Sequence, residues 1–165
     1  TYKEGKPSIV YFDPSSEWAK LHSGLLKAFP GNLVTVVDYT RDNSKLLFYV
    51  HADRNPGEYY VLDRGTNKVQ LINQTMPWIK PASLASTMPI SFTTRDGLTL
   101  HGFYTAPATP GPKPMIVMPH GGPHGPYDTW GYDSDAQFLA SRGYGVLQVN
   151  YRGSGGRGRQ VEASG

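Results

Sequence analysis

Five uncharged residues, Met115-Ile116-Val117-Met118-Pro119, run directly into His120-Gly121-Gly122-Pro123. A short, nearly unbroken apolar run is the pattern of a strand buried on both faces. Two consecutive glycines after it let the backbone turn sharply and present its N–H groups with no Cβ in the way. Further on, Ser134 with Gln137 three residues later forms a capping box, and Asp133 is an equally good N-cap. The spacing predicts a helix to about Arg142, ended by Gly143 in the left-handed conformation. Residues 145–149 then read as a second buried strand. Strand, loop, helix and strand in so short a span describe a βαβ unit and hence a parallel sheet. Ahead of it, residues 89–94 and 98–104 flank Arg95-Asp96-Gly97, an Asp-Gly hairpin that adds an antiparallel edge. The fold class is therefore α/β for this part.

The first half of the chain follows another period. Residues 8–12 read as a short strand. Asp13 as N-cap and Pro14 at the first helical position then predict a helix. Trp18, Leu21, Leu25 and Phe29 share one face of it, as a packing stripe would, and Pro30-Gly31 stops it. After that the alternation is two, and residues 33–39, 45–50, 58–63 and 68–72 read as four antiparallel strands. Their connectors, Arg41-Asp42-Asn43-Ser44, Arg54-Asn55-Pro56-Gly57 and Arg64-Gly65-Thr66-Asn67, carry turn chemistry. Such a β-rich four-strand meander is propeller-blade-like. The expected organisation is residues 1–76 as helix plus meander, 77–88 as a proline-punctuated linker with one helical turn, and 89–165 as the first strands of the α/β part.

Composition narrows the classes of partner. The 19 glycines and 14 prolines make about one residue in five, against an average nearer one in eight, which suits short strands and turns better than a helical bundle. The net charge of +3 is modest. Its only local concentration, Arg152, Arg157 and Arg159, reads as a solvated basic loop, so no nucleic-acid partner is expected. Without cysteine there is neither a disulfide nor a thiolate metal site, and the compartment stays open. No apolar run approaches the ~20 residues of a membrane span, and Thr1-Tyr2-Lys3 does not open a signal peptide; any leader would lie upstream. A soluble protein with no membrane partner is the expectation, in a compartment that these residues do not fix.

The glycine loop suggests acyl-transfer chemistry. In α/β-hydrolases one oxyanion-hole donor comes from an HGG-type loop after the third strand, and the other from the residue following the nucleophile. Gly122 is the candidate donor, with His120, Gly121 and Pro123 as support for the loop; a plain turn leaving a strand is the competing reading. No G-x-S-x-G occurs: Ser154 has Arg152 where the first glycine should stand, and Ser164 has Glu162. A nucleophile is therefore expected only beyond Gly165, and the chain by itself is expected to be inactive. His120 and His124 have the spacing of two metal ligands on a helix, but the intervening Gly-Gly-Pro will not hold one, so no metal is expected. Gly153-Ser154-Gly155-Gly156-Arg157-Gly158 matches G-x-G-x-x-G literally. A run so rich in glycine meets that pattern by chance, and a flexible loop bordering the active site is preferred over a nucleotide site. No cofactor is expected. Tyr127, Trp130, Tyr151 and Arg152 are candidate pocket-lining residues, although Tyr127 and Trp130, like Tyr132, serve equally to cover a sheet.

The runs from His120 to Pro126, from Phe138 to Tyr144 and from Val149 to Gly156 resemble the prolyl oligopeptidase family of serine peptidases, most of all its bacterial acylaminoacyl-peptidase-like members. Tyr59-Tyr60-Val61-Leu62-Asp63 and the stretch from Pro89 to Leu98 look like the end of that family's β-propeller and the beginning of its α/β-hydrolase domain. The resemblance implies the N-terminal part of an α/β-hydrolase sheet preceded by a propeller remnant. It also implies a parent that cleaves short peptides with a Ser-His-Asp triad lying wholly after Gly165. Gly122 is then carried over as an oxyanion donor. Prolyl oligopeptidase and dipeptidyl peptidase proper have a tyrosine where His120 stands, so this histidine departs from their pattern and its role is open. An esterase or lipase with the same loop, and a binding or scaffold module without chemistry, are the alternatives. A sheet cut after its fourth strand exposes an unpaired edge, so the chain alone is expected to self-associate.

Overall fold

A computed structural model describes residues 1–3, 5–122 and 124–165. They form two compact units: Ile9–Ser83 with Thr1, and Leu84–Gly165 with Tyr2–Ser8. The opening strands β1 (Tyr2–Lys3) and β2 (Lys6–Pro7) pair with each other antiparallel. The strand expected over 8–12 does not form. Ile9, Val10 and Phe12 are exposed, and among the described residues that segment joins no strand ladder, without which β-favouring residues do not make a strand.

In the first unit, helix α1 (Glu17–Ala28) starts later than Asp13-Pro14 predicts. Asp13 Oδ1 instead accepts from the backbone N–H and the hydroxyl of Ser15, closing a turn, and Ser16 becomes the N-cap by accepting from Ala19 N at 3.2 Å. Leu25 is buried on the inner face of α1, with Leu21, Leu26 and Phe29 packed around it. They cover a four-stranded antiparallel sheet whose spatial order is its chain order: β3 (Leu33–Tyr39), β4 (Lys45–Ala52), β5 (Asn55–Asp63) and β6 (Lys68–Gln74). Strict alternation in β4 buries Leu46, Phe48, Val50 and Ala52, while edge strand β6 is exposed along its whole length. Asn43 and Asn67 take the left-handed conformation in two of the connecting turns, as asparagine tolerates best among residues with a side chain.

The second unit is a mixed sheet in the order β7-β8-β10-β9, made of β7 (Ser86–Thr93), β8 (Thr99–Ala106), β9 (Met115–Val117) and β10 (Gly145–Asn150). A 3₁₀ turn, Pro81–Ser83, precedes it as the last element of the first unit. Strand β10 runs parallel to β9 and antiparallel to β8, and α2 (Ser134–Ser141) makes the crossover from β9. Between the two candidate caps the structure selects Asp133, whose carboxylate accepts from Ala136 N at 2.8 Å. Gly143 at φ +95° follows the helix.

The interior of this sheet is partly polar. Thr87 and Thr105 share a buried hydrogen bond of 2.8 Å, and Gln137 of α2 grips both the N–H and the C=O of Ala85 at 2.9 and 2.7 Å. Strand β9 departs from the expectation of burial on both faces: Met115 and Val117 are 56 and 60 % exposed. Its one strand neighbour among the described residues is β10, so nothing there covers its far side. A short helix, α3 (Arg159–Glu162), follows the glycine run and buries Val161 beside Leu98 and Leu100.

Candidate functional site: the glycine loop and its scaffold

Leaving β9, the chain makes one more bond to the sheet, Met118 N to Leu147 O at 2.9 Å, and then turns at the two glycines. Gly122 sits at φ +122°, a conformation that penalises any side chain, and a Cβ there would come within 3.1 Å of the Pro126 ring. Gly121 and Gly122 are exposed, and among the described residues none accepts a hydrogen bond from the Gly122 N–H. Pro123, expected to support the loop, lies outside the described residues.

His120 is fixed on three sides. Its ring stacks on Tyr151 with centroids 4.4 Å apart. Nδ1 lies 2.9 Å from Gly121 O and Nε2 lies 2.8 Å from Ser154 Oγ. A carbonyl oxygen only accepts, so Nδ1 carries a hydrogen, and in the neutral ring Nε2 accepts a hydrogen bond from the Ser154 hydroxyl. Tyr151 Oη donates to His120 O at 2.8 Å. Ser154 has no solvent-accessible surface, so this Ser–His contact anchors the loop and offers no accessible nucleophile.

The glycine run after β10 is not a loose border. Gly153, Ser154 and Gly155 are buried, and Ser154 forms a parallel bridge with Gly125, supported by Gly125 N to Gly153 O at 3.1 Å. A Cβ on Gly155 would fall 2.4 Å from Gly125 O, so glycine is what allows the two backbones to lie this close. The Tyr127 ring rests over Gly155 and Gly156.

The other candidate lining residues are engaged as follows. Trp130 is buried, donates from Nε1 to Thr87 O at 3.0 Å and has Lys6 Nζ 4.8 Å from its ring centroid, so it covers the sheet. Arg152 reaches the β7–β8 turn, where its guanidinium pairs with Asp96. The structure thus brings His120, Tyr151, Ser154 and the Tyr127 ring together around the glycine loop and directs Trp130 and Arg152 elsewhere.

Two residues that the sequence reading did not single out belong to the same cluster. Asn150, the last residue of β10 and 1 % exposed, accepts from Asp128 N at 2.7 Å and donates from Nδ2 to Asp128 O at 3.0 Å. Burial pushes the Asp128 carboxyl above its ordinary value, the positive ring of a protonated His120 would lower it, and Asp133 adds a smaller upward push. Among the described residues its Oδ2 is buried without a hydrogen-bond partner. The only available signal was an asparagine closing an apolar strand, which reads equally well as a turn residue. No group of three or more metal-ligating side chains occurs among the described residues, nor is any helix there long and apolar enough to cross a membrane.

The model of the prolyl oligopeptidase family matches residues 130–165. Dipeptidyl aminopeptidase BIII of Pseudoxanthomonas mexicana is 32 % identical over 145 residues, covering 82 % of this chain and 21 % of the relative. The human acylamino-acid-releasing enzyme is 42 % identical over 66 residues, 38 % of this chain and 9 % of that protein. Among solved structures, a puromycin hydrolase is similar with a TM-score of 0.56 and 30 % identity, covering 73 % of this chain and 19 % of its own. A puromycin-hydrolysing peptidase of Mycobacterium tuberculosis gives a TM-score of 0.58 at 25 % identity, with 73 % and 20 % covered. The chain spans about a fifth of the length of the first of these relatives.

Proposed function

The chain belongs to the prolyl oligopeptidase family, and from that premise we propose that it supplies one wall of the active site of a serine peptidase acting on short peptides, with the backbone N–H of Gly122 as an oxyanion donor. The observation that carries this reading is the Gly122 N–H, for which no described residue is an acceptor, on a loop whose neighbours are tied down by Ser154, Tyr151 and Asn150. A donor stabilises a developing oxyanion strongly only when it is held in place beforehand and needs no reorganisation as charge appears. No serine of this chain stands in a G-x-S-x-G elbow, and in the family reading the nucleophilic serine, its histidine and its aspartate come from residues after Gly165. The serine attacks the scissile carbonyl, the histidine takes its proton and returns it to the leaving amine, and the Gly122 N–H meets the carbonyl oxygen as it becomes negative.

The four-stranded sheet of the first unit is assigned in the same reading to the end of a β-propeller, with residues 77–88 as the linker and 89–165 as the start of the hydrolase domain. The acylaminoacyl and dipeptidyl names of the relatives make blocked or short peptides the substrates to try first.

The test is made on the full-length protein. It is expected to release nitroaniline from acylaminoacyl or dipeptidyl nitroanilides and to be labelled by a fluorophosphonate. Replacing the residue 122 amide by an ester, which deletes the N–H and also weakens the Gly121 carbonyl as the partner of His120 Nδ1, is expected to lower kcat by about 10²–10³. Turnover of esters without amides would favour the esterase reading, and an unlabelled, inactive full-length protein would leave a scaffold module.

A further inference from the structure

The glycine loop is held almost without packing. Gly121, Gly122, His124, Gly125, Pro126 and Tyr127 are all exposed. Outside the single bridge at Gly125 the loop contains no regular secondary structure among the described residues. A backbone in that condition keeps one geometry only if polar ties fix it, because apolar burial is not there to do so. At the near end the tie is to His120. At the far end it is the side chain of Asn150, which meets both polar groups of one peptide residue, Asp128, as a neighbouring strand would. Strand β10 ends at Asn150, so the carboxamide continues its hydrogen-bonding by one further rung.

Resting on the peptidase reading above, we propose that Asn150 is a positioning residue for catalysis: its carboxamide sets the far anchor of the glycine loop and thereby the direction of the Gly122 N–H. The residue type is demanded by the geometry. Aspartate at 150 would keep an acceptor for Asp128 N. It would also replace the Nδ2–H donor with an oxygen facing Asp128 O, next to a carboxylate that is already buried and short of partners. Glutamine is longer by one methylene and cannot meet both groups without moving the loop. Alanine leaves both Asp128 groups without that partner.

The experiment compares full-length wild type with Asn150→Asp and Asn150→Gln by steady-state kinetics on a peptide nitroanilide and by inhibition with a peptide aldehyde, which mimics the tetrahedral state. The expected result is a fall in kcat of about tenfold or more with KM within about twofold, and aldehyde affinity weakened in step with kcat. Hydrogen exchange at the Asp128 amide supplies a readout that needs no activity: protected in wild type, fast in Asn150→Ala, which removes its acceptor. An unchanged kcat, or a loss confined to KM, overturns the positioning role. A wild-type Asp128 amide that exchanges as fast as an exposed glycine overturns the clamp even if the variants do not fold. Absence of turnover and of fluorophosphonate labelling in wild type, with the Asp128 amide protected, would instead strike the peptidase reading and leave the clamp standing.

Discussion

Ser154 and His120, 34 residues apart, share a hydrogen bond of 2.8 Å in which the buried hydroxyl is the donor. The direction follows from the other side of the ring, where Nδ1 faces the carbonyl of Gly121. Ring-nitrogen NMR shifts are therefore expected to report the Nδ1–H tautomer of His120. Ser154→Ala leaves Nε2 without its donor and is expected to destabilise the protein by about 1–3 kcal/mol in denaturant unfolding. A tautomer with the proton on Nε2 would reverse the assignment.

Strands β8 and β10 approach closely at one glycine. A Cβ on Gly102 would stand 2.2 Å from the carbonyl oxygen of Gln148 and 3.2 Å from the Cα of Val149. Both are backbone atoms that cannot swing aside. Gly102→Ala is expected to force the strands apart and cost about 1–3 kcal/mol or more, read as a lower unfolding midpoint with the first unit's sheet unchanged by hydrogen exchange.

In the first unit the equivalent point is Gly57, at φ +132°, where a Cβ would overlap the hydroxyl end of Tyr49. That hydroxyl donates to Pro56 O at 2.9 Å. Gly57→Ala is expected to destabilise more than Tyr49→Phe, which loses one hydrogen bond worth about 0.5–1.5 kcal/mol. Parallel thermal melts of the two variants check the order.

Acid sensitivity is expected at the β4–β5 pair. Lys45 Nζ, 2.9 Å from Asp63 Oδ2, and then the Thr66 N–H hold the Asp63 carboxyl down at about 2, against 3.8 ordinarily. A carboxyl whose folded value is depressed stabilises the fold fully above its unfolded value and loses that contribution as pH falls through the folded one. The window is thus from about pH 4 down to about pH 2. In Asp63→Asn the stability-versus-pH curve is expected to flatten there, in unfolding titrations at several pH values. High salt should weaken the wild-type effect, since the pair is open to solvent.

Strand β9 presents Met115 and Val117 on an edge with one partner strand among the described residues. The 165-residue chain alone is expected to self-associate through it, and Val117→Lys to reduce that association in sedimentation runs. Monomeric wild type at micromolar concentration would count against this.

Much of the fold was legible in short-range pattern. Alternation located β3 to β6, Arg95-Asp96-Gly97 located the β7–β8 turn, and the apolar runs with a capped helix between them located β9, α2 and β10. Each of these signals acts over a few residues, through backbone preference and the face a side chain points to. The failures were also local in origin. The strand expected at 8–12 had the right residue types but joins no strand ladder among the described residues, and the start of α1 passed from Asp13 to Ser16 because a carboxylate can cap a turn as readily as a helix.

The sequence by itself determined the order of elements from α1 to β10, the position of the glycine loop, the absence of a G-x-S-x-G serine and, with the resemblance, the family. Only the tertiary structure decided that β10 lies between β8 and β9, that Asn150 grips Asp128 and that Ser154 reaches His120. It also decided that Arg152 turns toward Asp96. Those pairs join residues from 22 to 56 positions apart. Which polar groups meet at such separations depends on strand register and the path of a buried loop, and every buried donor and acceptor must find its partner there or lose stability. No local pattern encodes that choice.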